Sequence, residues 1–529
     1  MKSRQSYFLI SGIILLSIFL GFFIWRNKHH QEMPNLNKQS FTAPISSIYV
    51  PTNADIVFHW KINPTKLPMY IERYQDKVIK NITNKKIIST RDSFFKLVSL
   101  DFSKDISKWA GDNGSFAVFD TNSQLMNGWL MVLEINKEID SEKDLESFLG
   151  PKLIDQNITS TNKLNIIKRK INSNKSIFFL KEKEHILISS NQKIIESSIN
   201  KLNTNKLSIK DKYKNIKLKD NIKDGFLLLE MSPKKIFNKI SQKESLLEID
   251  QTDRLVSSIN IDKNKFILEG ILYYDVKDKR PINSISYDLM NTEEEFKLFN
   301  DYILIDNPKR YFGKSSIHPY KKLIASIIQK STTTTTTTTK NHSKLFKRIL
   351  ENTTGNLIWL KDKEWLVLTG KSDTAKTKIG DTFEKDKFIK SSLDFNKKNL
   401  EVWSKITANN NSEYEIKEKV EAIIQENEDT YTWSQSLAAI SDFNNKQYVP
   451  NNLDSEKKIN EINDFDDAIR IHLGREKSKA FLDDFYPYIL LRTMLGNKLN
   501  FPQNIDISIA VPTINYPDFV KFKINLTTS

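Results

Sequence analysis

The stretch from Tyr7 to Trp25 runs for nineteen residues without one charged side chain. As a helix rising about 1.5 Å per residue it would be roughly 28 Å long, which matches the roughly 30 Å of bilayer hydrocarbon. An aromatic ring stands at each end, where Tyr and Trp favour the interface between membrane and water. The stretch therefore predicts a single transmembrane helix. Because the sequence contains no second stretch of this kind, the rest of the chain should fold on one side of one membrane.

A cleaved signal peptide is the competing interpretation of this stretch. Its apolar run exceeds the usual length of about 7–15 residues, and no small-residue cleavage site comes after it, which favours an uncleaved signal anchor. The positive charges on the two flanks are nearly balanced, with Lys2 and Arg4 before the stretch and Arg26 and Lys28 after it. Anchors near the N terminus usually export the remainder of the chain, so the body is expected outside the cytoplasm, in a periplasm or lumen.

The formal net charge of +15 raises the question of nucleic-acid binding. Of the 80 basic residues, 68 are Lys and only 12 are Arg, and they are spread through every segment. Nucleic-acid recognition depends on clustered charge and on the planar Arg fork. The charge is therefore interpreted as diffuse surface charge, and no nucleic-acid partner is expected.

A chain of 529 residues is too long for one hydrophobic core and predicts two folding units after the anchor. The boundaries follow changes in composition. The predicted segments are an N-terminal flank (1–6), a transmembrane anchor (7–25), a polar tether (26–45), a first α+β unit (46–280) and a second α+β unit (281–529) with an exposed Thr-rich loop (331–343).

The two predicted units repeat one order of elements. The strand patterns at 115–135 correspond to a hairpin at 356–370, and the strands at 254–275 correspond to a closing pair at 505–526. The predicted fold class is therefore α+β: an N-terminal transmembrane helix followed by two similar, duplicated antiparallel-sheet-plus-helix units, each burying its own core.

Two further expectations concern the extent of one helix and the pairing of two strands. The aromatic-rich segment Phe94–Trp109 predicts one helix, which Gly111 should end in the left-handed conformation. In the second unit, Leu400–Ile406 and Tyr431–Ile440 are predicted to pair as strands.

The sequence offers no catalytic, cofactor-binding or metal-binding constellation. Of seven histidines, only the tether pair His29-His30 has a partner at metal spacing, and His59, in a strand pattern beside Trp60, is expected to have a core or edge role. The chain has no Cys, which excludes disulfides and thiolate metal sites. No phosphate-binding, dinucleotide-binding, zinc-protease or nucleophile-elbow motif occurs. No site residue and no cofactor is predicted, and the chain is not expected to be an enzyme.

The segment Asp105–Phe119 is the most distinctive stretch of the body. Trp109, Gly111 and Asp112 are compatible with a ligand-binding turn. The structural alternative is that Trp109 packs in the core while Asp112 and the residues after it form the turn into a strand.

Short motifs in the first half resemble one known family. A Val-Pro-x-x-Ala strand at 50–54 and an Asn-Pro helix start at 63–64 come after the anchor, and an Asp-Ile-x-x-Trp-x-Gly-Asp segment occupies 105–112. Together they resemble the cyanobacterial, membrane-anchored family catalogued as domain of unknown function 3352. The resemblance covers 1–275 best and is thin in the second half. It implies a photosynthetic bacterial membrane and assigns no catalytic residue.

Three functions remain open at this point. The first is a non-enzymatic binding or structural module displayed at the membrane, with an unidentified protein partner. The second is a carrier or sensor of a lipid or other apolar ligand held between sheet and helices, with aromatic segments such as Phe94-Phe95 and Phe485–Tyr488 as lining. An enzyme with a dispersed polar site is the third, and it requires ionisable groups that converge in one cleft.

Overall fold

In the computed structural model, the described residues form twenty antiparallel strands that belong to a single sheet. The residues that the structure describes are 36, 39–72, 88–89, 91–96, 98–119, 128–139, 158–161, 164–173, 175–203, 222–231, 254–262, 265–273, 299–313, 321–332, 342–409, 415–445, 467–483, 503–510 and 519–527. The predicted anchor (7–25), the Thr run beyond 332 and Phe485–Tyr488 lie outside these residues.

Half of the strands lie in the first part of the chain and half in the second. The first ten are β1 (Ile56–Trp60), β2 (Ala110–Phe119), β3 (Gly128–Ile135), β4 (Ile158–Thr161), β5 (Leu164–Asn172), β6 (Lys175–Glu182), β7 (His185–Ser189), β8 (Leu227–Met231), β9 (Arg254–Asp262) and β10 (Lys265–Tyr273). The others are β11 (Asp301–Ile305), β12 (Leu357–Lys361), β13 (Trp365–Gly370), β14 (Ile389–Phe395), β15 (Lys398–Asn409), β16 (Glu415–Glu426), β17 (Thr430–Ser434), β18 (Asp467–Leu473), β19 (Asn504–Ala510) and β20 (Phe519–Thr527).

Eight α-helices are described beside the sheet. They are α1 (Leu67–Glu72), α2 (Gln192–Asn203), α3 (Lys309–Phe312), α4 (Lys321–Thr332), α5 (His342–Asn352), α6 (Asp373–Lys385), α7 (Leu437–Asn445) and α8 (Arg475–Asp483). Residues 91–96 are also helical, and a short 3₁₀ helix at Ile45–Tyr49 and a π-helical turn at Phe102–Ile106 are described as well.

The sheet is continuous through the middle of the chain because β10 pairs with β20. Nine residues of each strand oppose each other there, from Lys265 opposite Thr527 to Tyr273 opposite Phe519. Outward from this pair, one side runs β9, β8, β1, β2, β3, β7, β6, β5, β4. The other side runs β19, β18, β11, β12, β13, β17, β16, β15, β14. The described sheet therefore ends in β4 on one side and in β14 on the other.

This architecture corrects the predicted fold class. The predicted fold class, an N-terminal transmembrane helix followed by two similar, duplicated units, is wrong in giving each unit a separate sheet and core, because one sheet passes through both halves. The cores are shared as well: Leu272 of β10 belongs to the cluster built mainly by the second half, and Leu526 of β20 packs against the main clusters of both halves. Among the described residues, no helix is long and apolar enough to cross a membrane.

Strand β1 shows how the sheet is buried on both faces. All five of its residues are buried. Phe58 and Trp60 face a large aromatic core, whereas Val57 faces a second core to which α2 contributes Ile194 and Ile195. Successive side chains of a strand point to opposite faces, so a strand covered on both sides is a continuous apolar run.

The predicted helix over Phe94–Trp109 is wrong in its extent. Residues 91–96 are helical, Ser99 has a φ of 62°, and Phe102–Ile106 form the π-helical turn. A residue in the left-handed region interrupts a right-handed helix. Two short helical pieces therefore replace one helix, and both still bury their aromatic rings in the same core.

The predicted pairing of Leu400–Ile406 with Tyr431–Ile440 is also wrong. The first segment lies in β15, which pairs with β14 and β16. The second divides into β17 and α7, because the chain turns at two serines. The Ser434 hydroxyl accepts a hydrogen bond from the Ser436 backbone at 3.1 Å, and the Ser436 hydroxyl accepts one from the Ala439 backbone at 3.4 Å, as at a helix N-terminus.

Candidate functional site

The β14 edge, residues 389–395, is the most exposed part of the described sheet. Its first six residues are exposed and only Phe395 is half-buried. Among the described strands it pairs only with β15, so its outward backbone N–H and C=O groups are open to a further strand. Edge strands with these properties are natural templates for pairing with another chain.

An exposed apolar margin accompanies this edge. Ile389 is 69% exposed, Leu393 38% and Ile406, on β15, 74%. They continue the face of a small core that Leu400 and Val402 form with residues of β16 and α7. Since the register places Leu393 opposite Leu400, the margin and this small core share one face of the sheet.

The opposite face of the β14 edge is charged. Lys390 lies 2.9 Å from the Glu401 carboxylate, which Lys376 also approaches at 3.2 Å. Burial acts to raise the pKa of Glu401, but hydrogen bonds from Lys390 and from the Trp403 indole lower it below its ordinary value. Glu401 is thus held as a carboxylate. The last charged residue of the strand, Asp394, is exposed.

A second candidate site is a small apolar cavity between β1, β8 and the helical segments that cover them. Its volume is about 20 Å³, and its lining includes Trp60, Leu67, Phe94, Phe95 and Phe226. The Trp60 indole N–H is buried and has no hydrogen-bond partner among the described residues. A cavity of this volume holds about one water molecule, so it does not accommodate an acyl chain without opening.

Gly114 fixes the position of that indole. The two residues oppose each other across β1 and β2. A Cβ atom at 114 would lie 2.2 Å from ring carbons of Trp60, a distance at which one group must move. The glycine thus leaves the space that the indole occupies against the neighbouring strand.

A buried Ser–His chain crosses the other face of the same strands. His59 Nδ1 is hydrogen-bonded to Ser115 Oγ at 2.6 Å, and Ser115 Oγ to Ser46 Oγ at 2.6 Å. All three residues are fully buried, and burial lowers the pKa of His59 to about 3. A neutral imidazole without solvent access links the 3₁₀ helix to the sheet, which agrees with the predicted core or edge role of His59.

A charged cluster lies where β11, β12 and α8 meet. Asp301 stands opposite Lys361 across the strands and accepts a hydrogen bond from the Gly474 backbone at 2.9 Å. Burial raises the pKa of Asp301 and lowers that of Lys361, and burial together with Lys361 lowers the pKa of Lys477 to about 8. Two lysines thus surround one carboxylate where β11 begins and β12 ends.

Within the distinctive segment 105–119, residues 110–119 form the bulged strand β2, and Asp112 lies inside this strand, so the predicted turn into a strand at Asp112 is wrong. Trp109 is buried and donates its indole hydrogen bond to the Asp105 carbonyl at 2.6 Å, so the packing prediction for this residue is confirmed. Gly111 lies in β2 without a positive φ, so the left-handed cap is wrong; an added Cβ would lie 3.1 Å from the Glu134 carbonyl oxygen. Asn113 binds the Glu134 carboxylate through its backbone and its side chain, at 3.0 and 2.7 Å.

Sequence reasoning missed the β14 edge altogether. The only signal was a short alternation of apolar and polar residues from Ile389 to Phe395, followed by Asn396.

In the part of the chain that the structure describes, no three His, Asp or Glu residues come together as metal ligands.

Comparison with known proteins gives a family and no function. No curated protein matches the chain, and no solved structure matches it. The family model described as "Protein of unknown function (DUF3352)" matches residues 8–527, nearly the whole sequence. The chain therefore belongs to the DUF3352 family of proteins of unknown function.

Proposed function

We propose that this protein is a non-enzymatic binding or structural module held at a membrane surface, and that it binds another protein through the β14 edge. The observation that carries the proposal is the combination of an open strand edge with an exposed apolar margin. Ile389 and Ile406 are each more than two-thirds exposed, whereas inner strands such as β1 and β17 are buried along their whole length. Exposed apolar residues grouped in this way mark interaction surfaces.

The composition of the edge supports a protein partner over a nucleic acid. The β14 edge carries one cation and one anion, Lys390 and Asp394, and the cation already contacts Glu401. A nucleic-acid surface requires an excess of positive charge. Backbone pairing with side-chain contacts on alternate residues is the established way in which a free edge binds an extended segment.

Membrane placement rests on residues 7–25, with the body proposed to lie outside the cytoplasm and the membrane, by family resemblance, that of a photosynthetic bacterium. A Leu16→Arg change in the middle of this stretch should cost about 3 kcal/mol of insertion free energy. We expect the variant to shift from the membrane fraction to the soluble fraction, with Lys2→Arg as the charge-conserving control. Full membrane retention of the Leu16→Arg variant would assign attachment to another segment.

Docking through the β14 edge is tested by photo-crosslinking in the cells that express the protein. A photoreactive amino acid in place of Leu393 should give a covalent adduct with a protein, because this side chain lies in the proposed interface. The matched control is the same amino acid in place of Lys363, which is exposed in the turn between β12 and β13. Equal adduct yields at the two positions, or none at Leu393, would contradict the proposal.

An apolar-ligand carrier is the second candidate function. The buried Trp60 N–H without a partner favours it, since a ligand with one acceptor oxygen at the end of an apolar chain would satisfy this group. This function ranks second because the cavity, at about 20 Å³, does not accommodate an acyl chain without opening. Saturable binding of a long-chain ketone that is lost in a Trp60→Phe variant would reverse this ranking.

A further inference from the structure

We propose that the partner of the β14 edge is a second copy of the same chain, paired antiparallel about a two-fold axis at Ser392. This inference rests on the proposed function, since it names the partner of the same edge. The observation behind it is the order of residues along the strand, Ile-Lys-Ser-Ser-Leu-Asp-Phe, which complements itself when it is reversed.

Charge complementarity selects this register. With Ser392 opposite Ser392 of the second copy, Lys390 lies opposite Asp394 of that copy, and the same pair recurs on the other side of the axis. Opposite charges directly across a strand pair stabilise it, and like charges destabilise it. Shifting the axis to Lys390 or to Asp394 would place two like charges opposite each other.

The apolar face agrees with the same register. Ile389 then lies opposite Phe395 of the second copy, and Leu393 opposite Ser391 of that copy. All four odd-numbered residues project on the side of the apolar margin, because alternate side chains of a strand share one face. Pairing would cover Ile389 and Leu393, which are 69% and 38% exposed in the single chain.

Backbone geometry permits the arrangement. In an edge strand, every second residue points its N–H and C=O groups outward. When two strands pair antiparallel, two opposing residues either both point these groups at each other or both point them away. In the register centred on Ser392, the sequence numbers of two opposing residues differ by an even number. A residue with outward groups therefore opposes another residue with outward groups. The outward groups of the two copies therefore meet in alternate opposing pairs, and no outward group is left facing a residue without one.

Symmetry favours a second copy over an open-ended array. The described sheet ends on its other side in β4, which has the unrelated sequence Ile-Thr-Ser-Thr. Pairing of β14 with β4 of the next molecule would be heterologous and would propagate as a filament. Pairing of β14 with β14 is isologous and closes as a dimer, which joins two sheets into one.

The full chain provides a direct test because it contains no Cys. In a Ser392→Cys variant the two thiols would lie directly opposite each other, at a Cα separation of about 4.5–5.5 Å, which is within the range of a disulfide. The matched control is Ser391→Cys, where the two copies of the residue are diagonal neighbours about 7–8 Å apart. Both serines are exposed, so reactivity alone does not distinguish them.

Oxidation of the detergent-solubilised full chain should convert the Ser392→Cys variant largely to a covalent dimer and leave the Ser391→Cys variant mostly monomeric. In the cysteine-free chain, Asp394→Lys should weaken self-association roughly tenfold in sedimentation experiments, because it places Lys opposite Lys twice. Equal crosslinking of the two variants, or an unchanged dimer in Asp394→Lys, would overturn the register.

The failure of this inference can be told from the failure of the proposed function. If the Ser392→Cys variant stays monomeric while the photoreactive residue at Leu393 captures a different protein, the edge is a docking site and the second copy is not its partner. If both experiments yield nothing, the edge is not an interface. If the photoreactive residue at Leu393 gives an adduct of twice the chain's mass, the result supports both the proposed function and the second copy as its partner.

Discussion

Replacement of Lys61 by Met should lower the free energy of unfolding by about 3–5 kcal/mol, because it leaves a buried carboxylate without its partner. Lys61 Nζ contacts Asp224 Oδ1 directly, and the two side chains are 8% and 1% exposed. The other carboxylate oxygen accepts a hydrogen bond from the Thr42 hydroxyl at 2.9 Å. Burial lowers the pKa of Lys61, while Asp224 acts in the opposite direction. The pair thus ties the end of β1 to the segment before β8.

The matched control is the double variant Lys61→Met with Asp224→Leu. Removing both charges takes away the desolvation penalty together with the attraction, so the double variant should recover most of the lost stability. Denaturant unfolding of the wild-type chain, both single variants and the double variant measures the coupling. A Lys61→Met effect below about 1 kcal/mol would show that Asp224 finds other stabilisation when its partner is removed.

Strands with buried faces could be predicted from the sequence, whereas the open end of the sheet could not. Hairpins such as β2–β3 and β12–β13 are dense in apolar residues, and both were predicted close to their observed positions. Strands β14 and β16 are rich in Lys, Glu and Ser, so hydrophobic periodicity carries little signal there. Their hairpins also lack a Gly: Asn396 and Lys397 both take positive φ in the turn between β14 and β15, with Lys in a position that usually requires Gly.

The single sheet was beyond sequence reasoning for a different reason. Strands β10 and β20 were each predicted, but no feature of their residues indicates that they pair with each other, about 250 positions apart in the sequence. Such long-range pairing is decided by which edges remain open once the local hairpins have formed. The same holds for the buried chain of Ser46, Ser115 and His59, which three distant segments assemble.

Acidification should destabilise the protein through His59, by up to about 4–5 kcal/mol between pH 6.5 and pH 3. Burial is the main cause that lowers the pKa of His59 from 6.5 to about 3; Glu230 opposes this shift and Lys61 adds to it. In this pH range the unfolded chain binds a proton at His59 while the folded chain does not. Protonation therefore favours the unfolded state, and stability present above pH 6.5 is lost as the pH falls towards 3.

A His59→Gln variant isolates this contribution, because Gln can hydrogen-bond to Ser115 and does not titrate. We expect it to be less stable than the wild type at pH 7, where the imidazole fits its site, but to lose less stability on acidification. Between pH 6 and pH 4 its free energy of unfolding should fall less steeply, by about 1.4 kcal/mol per pH unit, the value for one proton. Burial also lowers the pKa of His185, and this contribution cancels in the comparison since both proteins retain that residue. Parallel pH profiles for the two proteins would mean that His59 accepts its proton in the folded state, which requires solvent or a carboxylate such as Glu230 to reach the imidazole.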